Sequence, residues 1–380
     1  MTSTTAAPSK NHYVILDGLR GVASVMVVAF HLFEAHAGGD PQKQIINHGY
    51  MAVDFFFLLS GFVIWLSWAE RLRTGGWRVV PLFLRKRVAR IWPLHLFVLG
   101  CAVALALLLL ATGRHHSHFE FNTLPLHVLL LQNWGFTDHL SWNAPSWSIS
   151  AELGAYLLFP LLAFAIDWRR MPTPAILASI VAFLFLLHAT LAYNHAPTLG
   201  TDIARFGLVR CLLEFASGSA IAALWLRWRD TPILPALGAA CVAVPLFMAW
   251  ATRMLPETFA IPMAFAATLL ALALTSGVKR NPLEITPLHY LGEISYATYL
   301  GHFMLFVVFK LAFVEDARAI PAALIALYLA MVFVSSVALY HLVERPAQRW
   351  VNQLKLPGRR REGKLTPQPV PPQVPQSTPG

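Results

Sequence analysis

Residues 16–36 read LDGLRGVASVMVVAFHLFEAH, and this stretch decides the class of fold. Between Leu19 and His36 it holds an apolar block of about 18 residues, long enough to cross the hydrocarbon core of a bilayer as a helix. The residues before it are largely polar, and no small-residue cleavage site follows it. We therefore expect the block to stay in the protein as its first transmembrane helix, and not to be removed as a signal peptide.

The same pattern recurs along the chain, which is 57% hydrophobic and 13% charged, whereas soluble domains carry about 25% charged residues. The ten predicted spans are Leu19–His36, Met51–Trp68, Pro93–Thr112, Trp147–Ile166, Pro174–Tyr193, Phe206–Leu226, Ile233–Trp250, Phe259–Ser276, Ile294–Val314 and Pro321–Val343. An eleventh apolar run, Leu124–Trp134, is too short to span and fits a re-entrant or interfacial segment better. The sequence predicts an all-α polytopic membrane protein with about ten transmembrane helices.

The formal net charge of +10 is compatible with nucleic-acid binding, but the distribution of the charges along the chain is typical of a membrane protein. If the N-terminus is cytoplasmic, most Lys and Arg residues lie at cytoplasmic ends of the predicted spans, above all in residues 71–90 and 345–364. This positive-inside bias fixes orientation. We expect both termini in the cytoplasm, contacts with membrane lipids, and no nucleic-acid partner.

The chain divides into a short cytoplasmic N-terminus (1–12), one membrane domain (13–350) and a C-terminal segment (351–380). That last segment is rich in proline and lacks apolar periodicity, so we expect a disordered cytoplasmic tail. Three cysteines, at 101, 211 and 241, lie inside apolar spans and fit small packing residues. We expect no disulfide and no metal site, and any chemistry must occur within the membrane domain.

Arg20 and His31 are the first candidates for that chemistry, because charged and ionisable groups inside a span are costly and usually functional. Eleven residues separate them, which is about 20° past three full helical turns and about 16 Å along the axis. They should therefore lie on one face of the first helix. Alternatively, Arg20 reaches to lipid headgroups and His31 is a core histidine with satisfied hydrogen bonds.

Arg87 and Arg90 form a second set, in the basic segment FLRKRVARIWP at residues 83–93. At i and i+3 they can share one helix face and present two guanidinium groups to phosphate oxygens. The alternative is a positive-inside anchor that contacts anionic lipid.

A third set combines Ser148 and Glu152, in PSWSISAE at residues 145–152, with Asp54 of the second span. By topology Asp54, Glu152 and His31 all fall in the outer half of the membrane, so they could meet in one cavity. The serines and Trp147 could instead be helix caps and interfacial residues, and Asp54 an N-cap carboxylate.

In this order these residues resemble the acyltransferase-3 family of multi-spanning membrane acyltransferases. The likeness runs from about Tyr13 to Pro346, over essentially the whole membrane domain. Six motifs carry it: Arg-x10-His (Arg20, His31), DFFFLLSGF (54–62), Arg-x-x-Arg (Arg87, Arg90), Trp-Ser-x-x-x-Glu (Trp147–Glu152), Ser-Tyr…Leu-x-His (295–302, ending at His302) and Glu-Arg-Pro (344–346).

The resemblance implies an O-acyltransferase that uses cytoplasmic acyl-CoA, with acetyl-CoA as the expected co-substrate and no permanently bound cofactor. The acceptor would be a hydroxyl on a glycan or lipid-linked sugar of a cell-surface or exported polysaccharide, at the bacterial inner membrane. His31 would be the general base, assisted by Arg20 and Glu152, and Arg87 and Arg90 would bind acyl-CoA. Acceptor-site candidates are Asp54, Ser148 and His302.

Other functions fit parts of the pattern. Ten helices with buried charges would suit a transporter of a small or lipid-linked substrate, but the inverted repeats and broken helices of many transporters are not apparent. A non-catalytic scaffold would leave the Arg20 and His31 spacing unexplained. Within the family, a macrolide acceptor is the alternative to polysaccharide, and an acyl-histidine intermediate is the alternative to direct transfer.

Overall fold

A computed structural model describes residues 14–33, 47–114, 117–276, 284–314 and 320–354. These residues form helices and connecting turns, with no β-strand among them. The α-helices are α1 Val14–Phe33, α2 Ala52–Gly75, α3 Val80–Ala111, α4 Leu124–Leu129, α5 Trp147–Ala165, α6 Thr173–Tyr193, α7 Ile203–Trp228, α8 Ile233–Ala251, α9 Glu257–Leu274, α10 Thr286–Phe313, α11 Ala322–Leu339 and α12 Arg345–Gln353.

The all-α membrane fold is confirmed. Within the described ranges, nine helical runs are long and apolar enough to cross a membrane. One of these runs, residues 49–111, contains both α2 and α3, which a 3-10 turn at Gly76–Val79 joins. Each of the ten predicted spans therefore has its own helix, and the short run at Leu124–Trp134 forms only the six-residue α4.

Helix starts differ most from the sequence prediction where basic residues precede an apolar span. The third span was predicted from Pro93, but α3 begins at Val80 and carries Arg87 and Arg90 as helical residues. Apolar content defines only the part of a helix inside the hydrocarbon, whereas the backbone continues its hydrogen bonds into the polar interface. Pro93 lies within α3, as is tolerated in membrane helices.

Close helix crossings hold the centre of the molecule together. The most extensive packing joins α1 to α10, α2 to α7, and α8 to α9. At the crossing of α2 and α7, a Cβ on Gly61 would lie 1.9 Å from the Phe215 carbonyl oxygen, and one on Gly218 would lie 1.9 Å from that of Leu58. Only glycine allows the two backbones this approach, which is typical of helix packing in membranes.

Peripheral helices present apolar surface outward. Only 11% of the apolar window of α8 is buried, against 72% for α7, and large side chains such as Leu234 are exposed on α8. A broad exposed apolar surface is what a lipid environment solvates. Cys101 and Cys241 are also exposed, whereas Cys211 is buried.

The C-terminal helices return to the basic start of α3. Residues Tyr340–Glu344 are π-helical and lead into α12, which packs against α3, and Arg85 donates a hydrogen bond to the Leu354 carbonyl at 2.5 Å. The predicted domain end at residue 350 falls inside α12. The predicted tail from residue 355 onward and the N-terminal segment 1–12 lie outside the described residues.

Candidate active site

His31 lies in the last turn of α1, where two groups face the same ring nitrogen. Its Nδ1 is 3.0 Å from the Val27 carbonyl oxygen and 3.2 Å from Nε2 of His302 on α10. Phe30 and Phe303 meet the ring edge-on, with centroids at 5.0 and 5.3 Å. The other nitrogen, Nε2, has no hydrogen bond to the described protein, so it is available to a substrate.

His31 opens into a cavity of about 470 Å³, which we call the histidine cavity. Its walls are mostly aromatic and apolar, with a few polar groups, the usual composition of a small-molecule site. Its aromatic side chains are Phe30, Tyr50, Trp147, Tyr299 and Phe303, and its polar groups include His118, Thr198, Thr201 and Arg210.

A second cavity, of about 160 Å³, holds the arginines, and we call it the arginine cavity. Three cations of the sequence motifs line it together with Glu152 and Ser148: Arg20, Arg87 and Arg90. Three helices supply these cations and Glu152, since Arg20 comes from α1, Arg87 and Arg90 from α3, and Glu152 from α5. The structure thus brings both arginine motifs to one site, as an anion-binding function requires.

A thin wall separates the two cavities. Val53 and Tyr299 line both of them. The Tyr299 hydroxyl donates to the Pro145 carbonyl at 3.0 Å and lies 2.8 Å from Oγ of Ser148. Ser148 therefore anchors the wall from the arginine side, while His31 stands on the opposite side.

Glu152 does not share a cavity with His31, contrary to the expectation from topology. Ser60 Oγ and the Tyr156 hydroxyl both donate to Glu152 Oε1, at 2.5 and 2.6 Å, and hold the carboxylate at the arginine cavity. The physical reason is depth: Glu152 lies about 7.5 Å along α5 from Trp147, which lines the histidine cavity. Glu152 is thus placed to contact a ligand of the arginine cavity, and its hydrogen bonds go to Ser60 and Tyr156 and not to His31.

Asp54 lines neither cavity, so the expectation that it meets His31 and Glu152 there also fails. It is fully buried in the first turn of α2 and makes no cap to the helix. Instead Nε and Nη2 of Arg210 donate to its two oxygens at 2.5 Å each. Arg210 is 2% exposed, also donates to the Leu199 carbonyl at 2.6 Å, and reaches the histidine cavity. Asp54 therefore contacts that cavity only through Arg210. Sequence analysis did not select Arg210 as a site residue, although a charged residue inside a predicted span was a signal that could have found it.

The two arginines of the Arg-x-x-Arg motif differ in their partners. Arg90 forms an ion pair with Glu344, which is 1% exposed and lies in the π-helical segment. Arg87 has no carboxylate partner among the described residues, and its guanidinium lies 5.9 Å from the Tyr156 ring centroid. Arg20 is 3.8 Å from Asp17. Arg87 is thus the cation with the least compensated charge, and π-helical segments such as that of Glu344 often mark functional sites.

The segment 117–146 packs back onto the helices through polar contacts. Asn143 donates to the Leu300 carbonyl at 2.9 Å, and Gln132 donates to Ser146. Burial lowers the pKa of His127 to about 4, and its Nε2 lies 2.9 Å from Ser141 Oγ. At the surface, hydrogen bonds with Asp138 and Glu120 raise the pKa of His139. This network positions Ala144 and Pro145 at the edge of the histidine cavity.

Comparison with known proteins identifies the family. A family described as "Acyltransferase domain" matches residues 13–341, nearly all of the helical bundle. The chain belongs to the acyltransferase-3 family. No solved structure matches it.

Three relatives of this family member show how far the likeness extends. Acyltransferase MdmB of Streptomyces mycarofaciens is 32% identical, over 96% of this chain and 97% of its own length. Putative membrane-bound transacylase BcsY of Komagataeibacter xylinus is 27% identical, over 94% of this chain and 88% of its own. Peptidoglycan O-acetyltransferase OatA of Listeria monocytogenes is 26% identical over 79% of this chain, which spans half of that protein.

Family and fold together make this chain a multi-pass membrane O-acyltransferase. The resemblance in the sequence is thereby confirmed. The roles of the individual site residues, the donor and the acceptor remain predictions. The two cavities show which of these residues lie together.

Proposed function

We propose that this enzyme transfers an acyl group, acetyl in the first instance, from cytoplasmic acyl-CoA to a sugar hydroxyl of a cell-surface or exported polysaccharide. It would act in the bacterial inner membrane. The observation that carries the proposal is the pair of cavities on opposite sides of the Tyr299 wall, one lined by Arg20, Arg87 and Arg90 and the other by His31. Two relatives named as a transacylase and as a peptidoglycan O-acetyltransferase support the reaction class and a glycan acceptor.

The arginine cavity is the donor site in this proposal. Arg87 and Arg90 hold the phosphates of acyl-CoA, and charge-assisted hydrogen bonds of this kind contribute about 1.5–3 kcal/mol each. The positive-inside distribution favours a cytoplasmic location for this end of α3, on the side of the membrane where acyl-CoA is present. Glu152 and Ser148 lie along the cavity wall, where they can bind the amide groups of the pantetheine arm.

The histidine cavity is the acceptor site. Its aromatic rings can cover the apolar face of a sugar, and Thr198, Thr201 and Arg210 can bind its hydroxyls. The thioester reaches this cavity when the pantetheine arm passes between Val53 and Tyr299. Because Val53 and Tyr299 line both cavities, the acyl group has only this shared wall to cross in the proposed mechanism.

Transfer then proceeds with His31 as general base. Nε2 of His31 takes the proton of the acceptor hydroxyl while its oxygen attacks the thioester carbonyl carbon, and the C–S bond breaks. The leaving CoA thiolate takes that proton, so the products are an ester and free CoA thiol. General-base assistance contributes about 10²–10⁴-fold. Arg20 at the arginine cavity adds positive charge on the donor side.

Replacing His31 with alanine tests the proposal. We expect His31→Ala to lose at least 100-fold in acyl transfer, in line with the general-base contribution of about 10²–10⁴, while the protein still inserts and folds. The measurement is ester formation on the acceptor together with release of CoA thiol, in purified protein reconstituted into liposomes. A matched control is His188→Ala, because His188 bonds Thr258 and lines neither cavity.

Full activity of the His31 variant would remove His31 from the mechanism, and wild-type protein that releases no thiol would favour a transporter. Mass analysis of surface glycans from cells with and without the protein identifies the acceptor. An unchanged glycan profile, with esterified macrolide instead, would replace the polysaccharide acceptor.

A further inference from the structure

A second histidine lies directly behind His31. His302 of α10 is 1% exposed and lines neither cavity. Its Nδ1 is 3.0 Å from the Thr298 carbonyl oxygen, its Nε2 is 3.2 Å from Nδ1 of His31, and the two ring centroids are 5.1 Å apart. The proposed transfer needs a base and two substrate sites, and none of those tasks requires a second buried imidazole.

The carbonyl partners determine where the protons of this pair lie. A carbonyl oxygen only accepts, so the ring nitrogen that faces it must carry hydrogen. Nδ1–H of His302 therefore donates to Thr298, which leaves Nε2 of His302 with its lone pair. Nδ1–H of His31 donates to Val27 and also points to that lone pair. The unprotonated nitrogen of His31 is then Nε2, the one without a protein partner.

We infer that His302 is the positioning residue for His31, which it holds in the tautomer and orientation whose Nε2 accepts the substrate proton. The inference rests on the proposed function, in which His31 is the base. When Nε2 takes the proton, the positive charge spreads to Nδ1–H, which then has two acceptors, Val27 O and His302 Nε2. His302 therefore stabilises the charged ring that exists only during transfer.

An imidazole suits this task inside an apolar bundle. In hydrolases with a Ser-His-Asp triad a buried carboxylate orients the histidine and stabilises its charged form. An isolated carboxylate in a low-dielectric interior costs many kcal/mol unless it is paired. Neutral His302 supplies the same acceptor without a formal charge. Nδ1–H of His302 donates to the Thr298 carbonyl at 3.0 Å, and this hydrogen bond holds the ring in place.

The test compares two amides of different reach at position 302. In His302→Gln the amide oxygen occupies about the place of Nε2 and can accept from His31. In His302→Asn the amide reaches only about as far as Nδ1, so it can donate to the Thr298 carbonyl but cannot accept from Nδ1–H of His31. Since partners that orient functional histidines at metal sites are worth about 10–100-fold, we expect a fall of that size in kcat for asparagine. Glutamine should recover most of it.

KM values and folding separate this role from others. We expect the KM for acyl-CoA and for the acceptor to stay within about twofold in both variants, because His302 lines neither cavity. Thermal unfolding in detergent shows whether each variant is folded, and if asparagine lowers the melting temperature, His302→Leu supplies a second variant without an acceptor.

Equal kcat values for the glutamine and asparagine variants would overturn the inference. A change confined to the acceptor KM would overturn it as well and would return His302 to the acceptor site that the sequence suggested. Failure of the proposed function looks different, since His31→Ala would then keep its activity. If His31 is essential and both amides match wild type, only the role of His302 is wrong.

Discussion

Arg87 and Arg90 illustrate how neighbouring residues of one motif can differ in their task. Both line the arginine cavity, but Arg90 is bound by Glu344, whereas Arg87 only stacks near Tyr156. An ion pair lowers the net charge that a ligand meets, and it also fixes the side chain. Arg90 with Glu344 is therefore a rigid, nearly neutral element, and Arg87 supplies the larger share of free positive charge for a phosphate.

Arg87→Ala should weaken donor binding more than any other step. We expect the KM for acyl-CoA to rise about tenfold or more, because each charge-assisted hydrogen bond contributes about 1.5–3 kcal/mol. The KM for an acyl-pantetheine thioester without the nucleotide should stay unchanged, since the lost contact is to phosphate. Steady-state kinetics with both donors measures this.

Arg85→Ala is the matched control. Arg85 lies near the start of the same helix, α3, but its guanidinium donates to the Leu354 carbonyl and does not line the arginine cavity. If both variants lose affinity for both donors alike, the basic segment acts as a lipid anchor and not as a phosphate site.

At the scale of elements, the crossing of α2 and α7 sets the geometry of the histidine cavity. Gly61 and Gly218 let the two backbones touch, and the Asp54–Arg210 ion pair joins the same two helices. Breaking a buried pair of this kind typically costs about 3–5 kcal/mol, because one charge is left uncompensated. Arg210 therefore reaches the cavity from a rigid platform.

Gly218→Ala should destabilise this crossing. Alanine normally favours a helix over glycine by roughly 0.8–1.0 kcal/mol, but its Cβ here would lie 1.9 Å from the Leu58 carbonyl oxygen, so the helices must separate. We expect a net loss of about 1–3 kcal/mol, as for overpacked interiors. The melting temperature in detergent measures it. Gly238→Ala on α8 is the control, because a Cβ there would meet no neighbouring helix within 4 Å, and a fall of equal size there would contradict the explanation.

For the whole molecule, the Tyr299 wall decides whether the two cavities communicate. Tyr299 reaches both, and its hydroxyl is bonded to Ser148 and Pro145. A permanently open passage would let water reach the thioester and the base together. If the arginine cavity binds acyl-CoA as proposed, we expect the wall to protect the thioester from hydrolysis until an acceptor binds.

Tyr299→Ala should uncouple donor breakdown from acyl transfer. We expect it to release CoA thiol without any acceptor severalfold faster than wild type, because the wall loses its ring and both hydrogen bonds. Tyr299→Phe should show a smaller rise, since only the hydroxyl is lost. The assay is thiol release in reconstituted protein, with the exposed Tyr193→Ala as control. Wild-type rates of acceptor-free hydrolysis in both variants would show that Tyr299 does not separate the cavities.

The sequence by itself determined the membrane class, the ten spans and the family, because apolar length and spaced motifs are local properties of the chain. It also singled out Arg20 with His31 and, as a separate set, Arg87 with Arg90 as candidate site residues. Its boundaries failed at α3, where the helix extends through charged residues that an apolar count excludes.

Only the tertiary structure decided which candidates meet. Glu152 went to the arginine cavity, Asp54 became the buried partner of Arg210, and His302 came to lie behind His31. These residues lie far apart along the chain, and their contacts depend on helix crossings such as that of Gly61 with α7. The sequence predicts how deep in the membrane each residue lies, but it does not predict which helix faces contact each other. Those contacts depend on the packing of every helix against its neighbours.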